Sequence, residues 1–244
     1  MKMLTFAVRN RKELTRDPLS IFFGIGLPVL LLIFVSALNR NIIDAHVTIF
    51  EMQNFTPGIA MFSLSFIALF SGMLLANDRG SSLLARLFAS PLTARDYIIG
   101  YSLPLIPIAV LQSTVCFAAA VVLGLPVSWR ILLSILVLLP VALLFIGFGL
   151  LLGSLLSSKQ IGPISSILVQ IAVFSSGTWF DLEMIGGTLK TICYALPFAH
   201  AVKAAQEALT GDLSAIGPHL LVVGGYTVVI FGLAVAVFRK KMKG

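Results

Sequence analysis

Very few side chains in this chain could do chemistry, and their spacing rules out most of it. The histidines are His46, His200 and His219, so no HExxH pair exists to hold a metal on one helix face. The run Gly153-Ser154-Leu155-Leu156-Ser157-Ser158-Lys159-Gln160 has the outline of a phosphate-cradling loop. It lacks the glycine before the lysine and the Ser or Thr after it, so it fails as a nucleotide site. Ser175-Ser176-Gly177 lacks the pattern of a nucleophile elbow. His200 invites a proton-relay reading, but a lone histidine near an interface is ordinarily just packed or solvated. None of the long apolar segments carries the buried carboxylate expected of a proton- or sodium-coupled carrier. Anything this chain pumps must therefore draw its energy from elsewhere.

The elements around these residues follow from composition. Of 244 residues, 58% are apolar and 11% charged, against about 45–50% and about 25% in soluble domains. A soluble fold could not cover that much apolar surface with so few polar groups, and disorder needs the opposite balance. At about 20 residues per spanning helix, the apolar content suffices for six spans. Charge-free windows place them near 19–38, 57–76, 98–123, 131–156, 161–180 and 219–238, with Gly124-Leu125-Pro126 turning the chain after the third. The runs are continuous and do not alternate, which argues against a β-barrel. The expected fold is an all-α membrane protein forming a single transmembrane domain over 1–244.

Lys and Arg set the orientation. The first tail holds Lys2, Arg9, Arg11, Lys12 and Arg16; the loop at 78–97 holds Arg79, Arg86 and Arg95; the last tail holds Arg239, Lys240, Lys241 and Lys243. Together with Lys159 they put thirteen of the 17 cations on one side, leaving Arg40, Arg130, Lys190 and Lys203 on the other. The positive-inside rule makes both termini cytoplasmic. It also accounts for the net charge of +7 without a nucleic-acid partner. Val35-Ser36-Ala37 resembles a signal-peptidase site, but the apolar run before it is too long for a signal peptide, and an uncleaved first span is expected. Cys116 falls in mid-span and Cys193 in the fifth loop, so no disulfide joins them.

Three segments lie outside the spans. Residues 1–18 begin apolar and turn basic, as does a helix lying on an anionic inner leaflet; a basic tail that only sets topology is the alternative. In Ser81-Ser82-Leu83-Leu84-Ala85-Arg86-Leu87-Phe88, the apolar residues share one helical face. Pro91 stops that helix, and Thr93-Ala94-Arg95-Asp96 has capping-box spacing for the next. Such an amphipathic helix either rests on the membrane or docks into a soluble partner. The segment 181–217 should be external; its apolar piece 191–202, broken at Pro197, is short for a span and suits a re-entrant or interfacial element.

Within the spans, Phe62, Phe66 and Phe70 make one aromatic face. Gln112, Ser113, Thr114, Ser165, Ser166 and Gln170 add mild polarity. These groups either line a path for an amphipathic molecule or serve helix packing and lipid contact. Gly149-Leu150-Leu151-Leu152-Gly153 is a GxxxG close-packing face.

The order of these parts resembles the ABC-2 type membrane permeases over nearly the whole length. The likeness rests on the basic stretch Arg9-Asn10-Arg11-Lys12-Glu13-Leu14 and Arg16-Asp17-Pro18, on Asp78-Arg79 through Leu87, Ser90-Pro91-Leu92, Asp96-Tyr97 and Gly100, and on Leu196-Pro197-Phe198, Ala201-Val202, Glu207-Ala208-Leu209 and Gly211-Asp212. The resemblance implies six spans, dimerisation with a second permease copy, and a separate ABC nucleotide-binding ATPase that holds ATP and Mg, with no cofactor on this chain. It implies coupling through Arg11, Glu13, Arg16, Arg79, Leu83, Leu84, Arg86, Leu87 and Phe88, and a substrate path near Phe62, Phe66, Phe70, Gln170 and Phe174. The implied activity is outward movement of an amphipathic or hydrophobic small molecule (drug-like, lipid-like or peptide) across the bacterial plasma membrane. Alternatives are export of a polysaccharide or lipid-linked glycan, an ion-coupled carrier, and a non-transporting membrane anchor.

Overall fold

The computed structural model describes residues 21–41, 50–81 and 93–243. The described residues form helices and connecting turns, with no strand among them. A π-helical turn, Phe22–Gly26, leads into α1 (Leu27–Asn41). There follow α2 (Met52–Gly80), α3 (Ala94–Ser102), α4 (Leu105–Val122), α5 (Arg130–Leu155) and α6 (Ser158–Ser175). Three shorter helices, α7 (Leu182–Ile185), α8 (Gly187–Ala195) and α9 (Pro197–Thr210), precede the long α10 (Leu213–Lys243). Five stretches are long and apolar enough to cross a bilayer: Phe22–Asn39, Met52–Gly80, Asp96–Val122, Arg130–Leu155 and Leu213–Lys240. The chain is thus a multi-pass membrane protein. The expected fifth span corresponds to α6, whose 18 residues reach about 27 Å. Ser158, Lys159, Gln160 and Gln170 make it less apolar than the others, and Ser176 and Gly177 end it short of the expected residue 180.

The core is built around α2, buried on most sides from Phe55 to Asp78. Small residues let α5 lie against it. A methyl on Gly153 would stand 2.6 Å from the Gly72 carbonyl oxygen, and one on Gly149 would run into the Ala68 backbone. The GxxxG face therefore packs within this chain, where backbone approach takes the place of bulky side chains.

Local chemistry sets the helix ends. The Thr93 hydroxyl and Asp96 carboxylate form the expected capping box at the start of α3. A second box, Ser157 with Gln160, opens α6. The expected third span is divided: α3 ends at Ser102 and α4 begins at Leu105. Pro104 stands between them and has no N–H to carry the ladder onward. Gly211 closes α9 in the left-handed conformation (φ 90°), and both its N–H and that of Asp212 donate to the Glu207 carbonyl.

The segment expected to be broken at Pro197 is broken there. Leu196 is extended, and Pro197 takes the first turn of α9, where a missing N–H costs nothing. Ala201, Ala204, Ala205 and Ala208 are fully buried. The Ser134 hydroxyl of α5 donates to the Ala205 carbonyl (2.9 Å), and the Gln206 amide donates to the Asn54 carbonyl of α2 (2.8 Å). Arg130 donates to the Thr210 carbonyl (2.7 Å) at the end of α9. The helix is thereby pinned to both central helices.

Candidate coupling end and substrate path

One end of the bundle gathers the C-termini of α2, α5 and α10 and the N-termini of α3 and α6. Here Arg79 donates from one guanidinium nitrogen to the carbonyls of Gly153 (2.6 Å) and Leu156 (3.3 Å). These are terminal carbonyls of α5 with no partner inside the helix, and a cation suits the negative end of its dipole. Beside it Asp78 is buried, and the Tyr101 hydroxyl donates to its carboxylate at 2.8 Å. Tyr97, also buried, lies against Phe238 of α10 with ring centroids 5.7 Å apart. A network of Asp78, Arg79, Tyr97 and Tyr101 thus links α2, α3, α5 and α10 where the described residues on either side of 82–92 meet. Of the coupling residues expected from sequence, Arg79 stands here. Arg11, Glu13, Arg16, Leu83, Leu84, Arg86, Leu87 and Phe88 lie outside the described residues, as does the expected interfacial helix at 1–18.

The sequence expectation of no buried carboxylate in a span is corrected by Asp78. The apolar window stops before it, but α2 runs on to Gly80. Capping by a tyrosine from another helix leaves no pattern in linear sequence, so Asp78 reads there as an ordinary loop acid.

The aromatic face of α2 is a ladder of ring contacts. Phe62 meets Phe66 edge-on at 5.0 Å, and Phe66 stacks with Phe70 at 6.4 Å. Phe23 of the π-helical turn stacks on Phe66 at 5.6 Å. Gly24 lies against the Phe70 ring and the Gln112 amide, and its carbonyl accepts a hydrogen bond from the buried Ser63 hydroxyl. The lower ladder is therefore covered by the first helix, with Phe70 buried, while Phe62 and Phe66 stay partly exposed. π-helical turns interrupt regular packing and recur at functional positions; this one opens where the ladder, Ser63 and Gln112 meet.

Gln170 and Phe174 sit elsewhere. With Ser166, Ile167 and Ile171 they form the outward face of α6 around a shallow recess of about 390 Å³, and Phe174 is 57% exposed. No ring contact or hydrogen bond joins them to the α2 ladder among the described residues. The structure thus resolves the expected path into two separate surfaces of one chain. At the opposite end of the bundle from Arg79, a recess of about 690 Å³ lies beneath α7–α9, lined among others by Asn54, Trp179, Asp181, Lys203 and Gln206. Sequence reading did not single it out, because its walls come from four separated segments.

A sequence profile of the ABC-2 type transporter family matches residues 1–210. The chain belongs to the ABC-2 type transporter family. It is also similar to the probable multidrug ABC transporter permease YbhR of Escherichia coli K12, at 25% identity over 192 residues, 75% of this chain and 51% of the relative. The protein of the same name in E. coli O157:H7 matches identically. The chain spans about half the length of these curated relatives. The family match covers α1–α9 and stops at Thr210, just before α10. It includes the ladder on α2 and Asp78, Arg79, Tyr97 and Tyr101, while Phe238 of α10, against which Tyr97 lies, falls beyond it.

Proposed function

We propose that this chain is the permease subunit of an ATP-driven exporter that moves an amphipathic or hydrophobic small molecule outward. The observation that carries the reading is the ABC-2 type family match over 1–210. The relative named a probable multidrug permease favours a drug-like substrate class. In this account α6 joins the five longer apolar stretches as a sixth span, and both termini are cytoplasmic, as the distribution of Lys and Arg favours. Two copies assemble in a bacterial plasma membrane, with lipid around them and no nucleic acid bound.

ATP and Mg bind a separate nucleotide-binding subunit. That subunit docks on the cytoplasmic side against Arg11, Glu13 and Arg16 of the first tail and Leu83, Leu84, Arg86, Leu87 and Phe88 of the loop. An amphipathic knob seated in a groove turns closure of the ATPase into displacement of the attached spans. Arg79 and Asp78 would transmit that displacement, because each ties the helix leading into the loop to another helix: Arg79 to α5, Asp78 through Tyr101 to α3. The ladder of Phe62, Phe66 and Phe70 and the α6 face with Gln170 and Phe174 offer aromatic and amide surface without fixed charge, suited to an amphipathic molecule. Placing the α6 face of each copy toward the other would bring the two surfaces onto one path.

The test is Arg86→Glu in the assembled transporter. The expected result is loss of substrate export with ATP hydrolysis by the partner persisting or falling away from substrate control, while membrane insertion is unchanged. Export at the parent rate would overturn the coupling assignment.

A further inference from the structure

A groove runs between the α3–α4 wall and α10, with Leu143 of α5 also lining it. It encloses about 670 Å³, within the range of about 300–1,000 Å³ usual for cavities that take small molecules. No residue of the α2 ladder, the α6 face or the recess beneath α7–α9 lines it. Two features of the sequence open it. The break at Pro104 sets Leu103 and Ile106 on either side of a turn. On the facing helix Gly232 leaves out a side chain where a methyl would meet only open space. The walls are hydrocarbon, and their two hydroxyls are engaged within their own helices. Ser102 donates to the Ile98 carbonyl and Thr227 to the Val223 carbonyl, both at 2.8 Å. An occupant therefore meets no free hydroxyl along the groove. Ile99, Leu103 and Val228 at the rim are exposed, so the groove opens sideways toward the bilayer.

We infer that the groove is a lipid site, holding one acyl chain of an anionic phospholipid lengthwise with the phosphate beside Arg239 and Lys240. Thr227, Phe231 and Val235 stand four residues apart on one face of α10, and Arg239 is the next position in the same row. From Thr227 to Val235 the helix rises about 12 Å, against about 15 Å for the hydrocarbon half of one leaflet. One turn further on, Arg239 and its neighbour Lys240 are both exposed, and neither is paired with a carboxylate among the described residues. Cations placed just beyond the hydrocarbon attract anionic headgroups. The carboxylate at the same end, Asp96, is held by the Thr93 N–H and hydroxyl. An amphipathic molecule in transit would need polar partners along the walls, which are absent; an acyl chain needs none. Enclosure distinguishes this chain from surrounding lipid. It touches α3–α4, α5 and α10 together, whereas lipid at Leu221, 77% exposed, meets the convex side of a helix. With the orientation proposed above, the lipid belongs to the cytoplasmic leaflet; the site itself does not depend on the exporter reading.

The experiment places the full chain in phosphatidylcholine nanodiscs doped with phosphatidylglycerol whose acyl chain carries a photoreactive diazirine, and maps the adducts by peptide mass spectrometry. Phosphatidylcholine with the same diazirine chain is the neutral counterpart. The expected adducts concentrate on Leu103, Ile106 and Phe231 over Leu221, and the anionic lipid labels the groove about fivefold better for each cation engaged. Gly232→Leu fills the groove and should cut its adducts severalfold while leaving those at Leu221 unchanged, which also shows that the chain is folded. Arg239→Gln combined with Lys240→Gln leaves the groove intact and should bring the two lipids to parity. Adducts spread evenly over Leu221 and the groove, or indifferent to Gly232→Leu, would mark ordinary surrounding lipid and overturn the inference. So would equal labelling by the two lipids in the parent chain, or a groove left unlabelled because a second copy covers it. None of these readouts involves ATP hydrolysis or transport, so failure here is distinct from failure of the exporter reading.

Discussion

Replacing Arg79 separates the two duties assigned to it. Its guanidinium satisfies the Gly153 carbonyl through a short bond of 2.6 Å and the Leu156 carbonyl through a longer one of 3.3 Å. A hydrogen bond to a charged donor contributes about 1.5–3 kcal/mol when buried, and partial exposure lowers that. The first bond is strong and the second weak, so Arg79→Ala should cost about 1–2 kcal/mol, roughly a 5- to 30-fold fall in the folded-to-unfolded ratio. Arg79→Lys offers a point charge in place of a planar fork and should lose about half as much by the same accounting. The purified chain in mixed micelles would be unfolded by denaturing detergent while hydrogen exchange is followed at residues 153–157, the segment the arginine closes. Arg79→Ala should lower the midpoint and raise exchange there, leaving α9 protected. If stability and exchange match the parent chain, the α5 carbonyls do not depend on Arg79 and the structural duty is refuted.

Other consequences are as direct. Gly153→Ala puts a methyl 2.6 Å from the Gly72 carbonyl, and since backbone cannot yield as a side chain would, it should cost about 1–3 kcal/mol. Gly162→Ala, with open space at its methyl, should be near neutral in the same unfolding assay. Phe66→Ala removes the ring that Phe23, Phe62 and Phe70 all touch; it should weaken substrate affinity severalfold in a transport assay while the chain still assembles, and unchanged affinity would leave the ladder a packing element. The Glu183 carboxylate, hydrogen-bonded by Lys190, is held below its ordinary range. A depressed carboxylate stabilises above its unfolded value and stops doing so as pH falls through its folded one. Acid should therefore loosen α7 from α8, seen as faster exchange at 182–190, and Glu183→Gln should remove that pH dependence.

Much of this architecture is legible in the sequence because the bilayer imposes it. Long charge-free windows mark α2, α5 and α10, a capping box marks the start of α3, and Pro197 marks the break before α9. The readings that fail do so where the cause is not linear. The division at Pro104 falls where Pro104 and Pro107 stand three residues apart in an apolar run, residues that membrane helices often tolerate. The π-helical turn depends on Gly24 meeting Ser63 and Gln112, residues 39 and 88 positions away in sequence. Asp78 and Glu207 read as surface acids until Tyr101 and His219 are folded onto them. The aromatic stripe was visible on α2, but its cover by Phe23 was not, because composition does not say which face of a helix its neighbour takes.

The claim on which the rest depends is that this chain works with a nucleotide-binding ATPase. Purification of the tagged chain from native membranes in mild detergent, followed by mass spectrometry and an ATPase assay, tests it most directly. The account predicts a stoichiometric nucleotide-binding subunit, with vanadate-sensitive hydrolysis that loses its coupling to transport in Arg86→Glu. A chain that purifies alone and never acquires ATPase activity would contradict it.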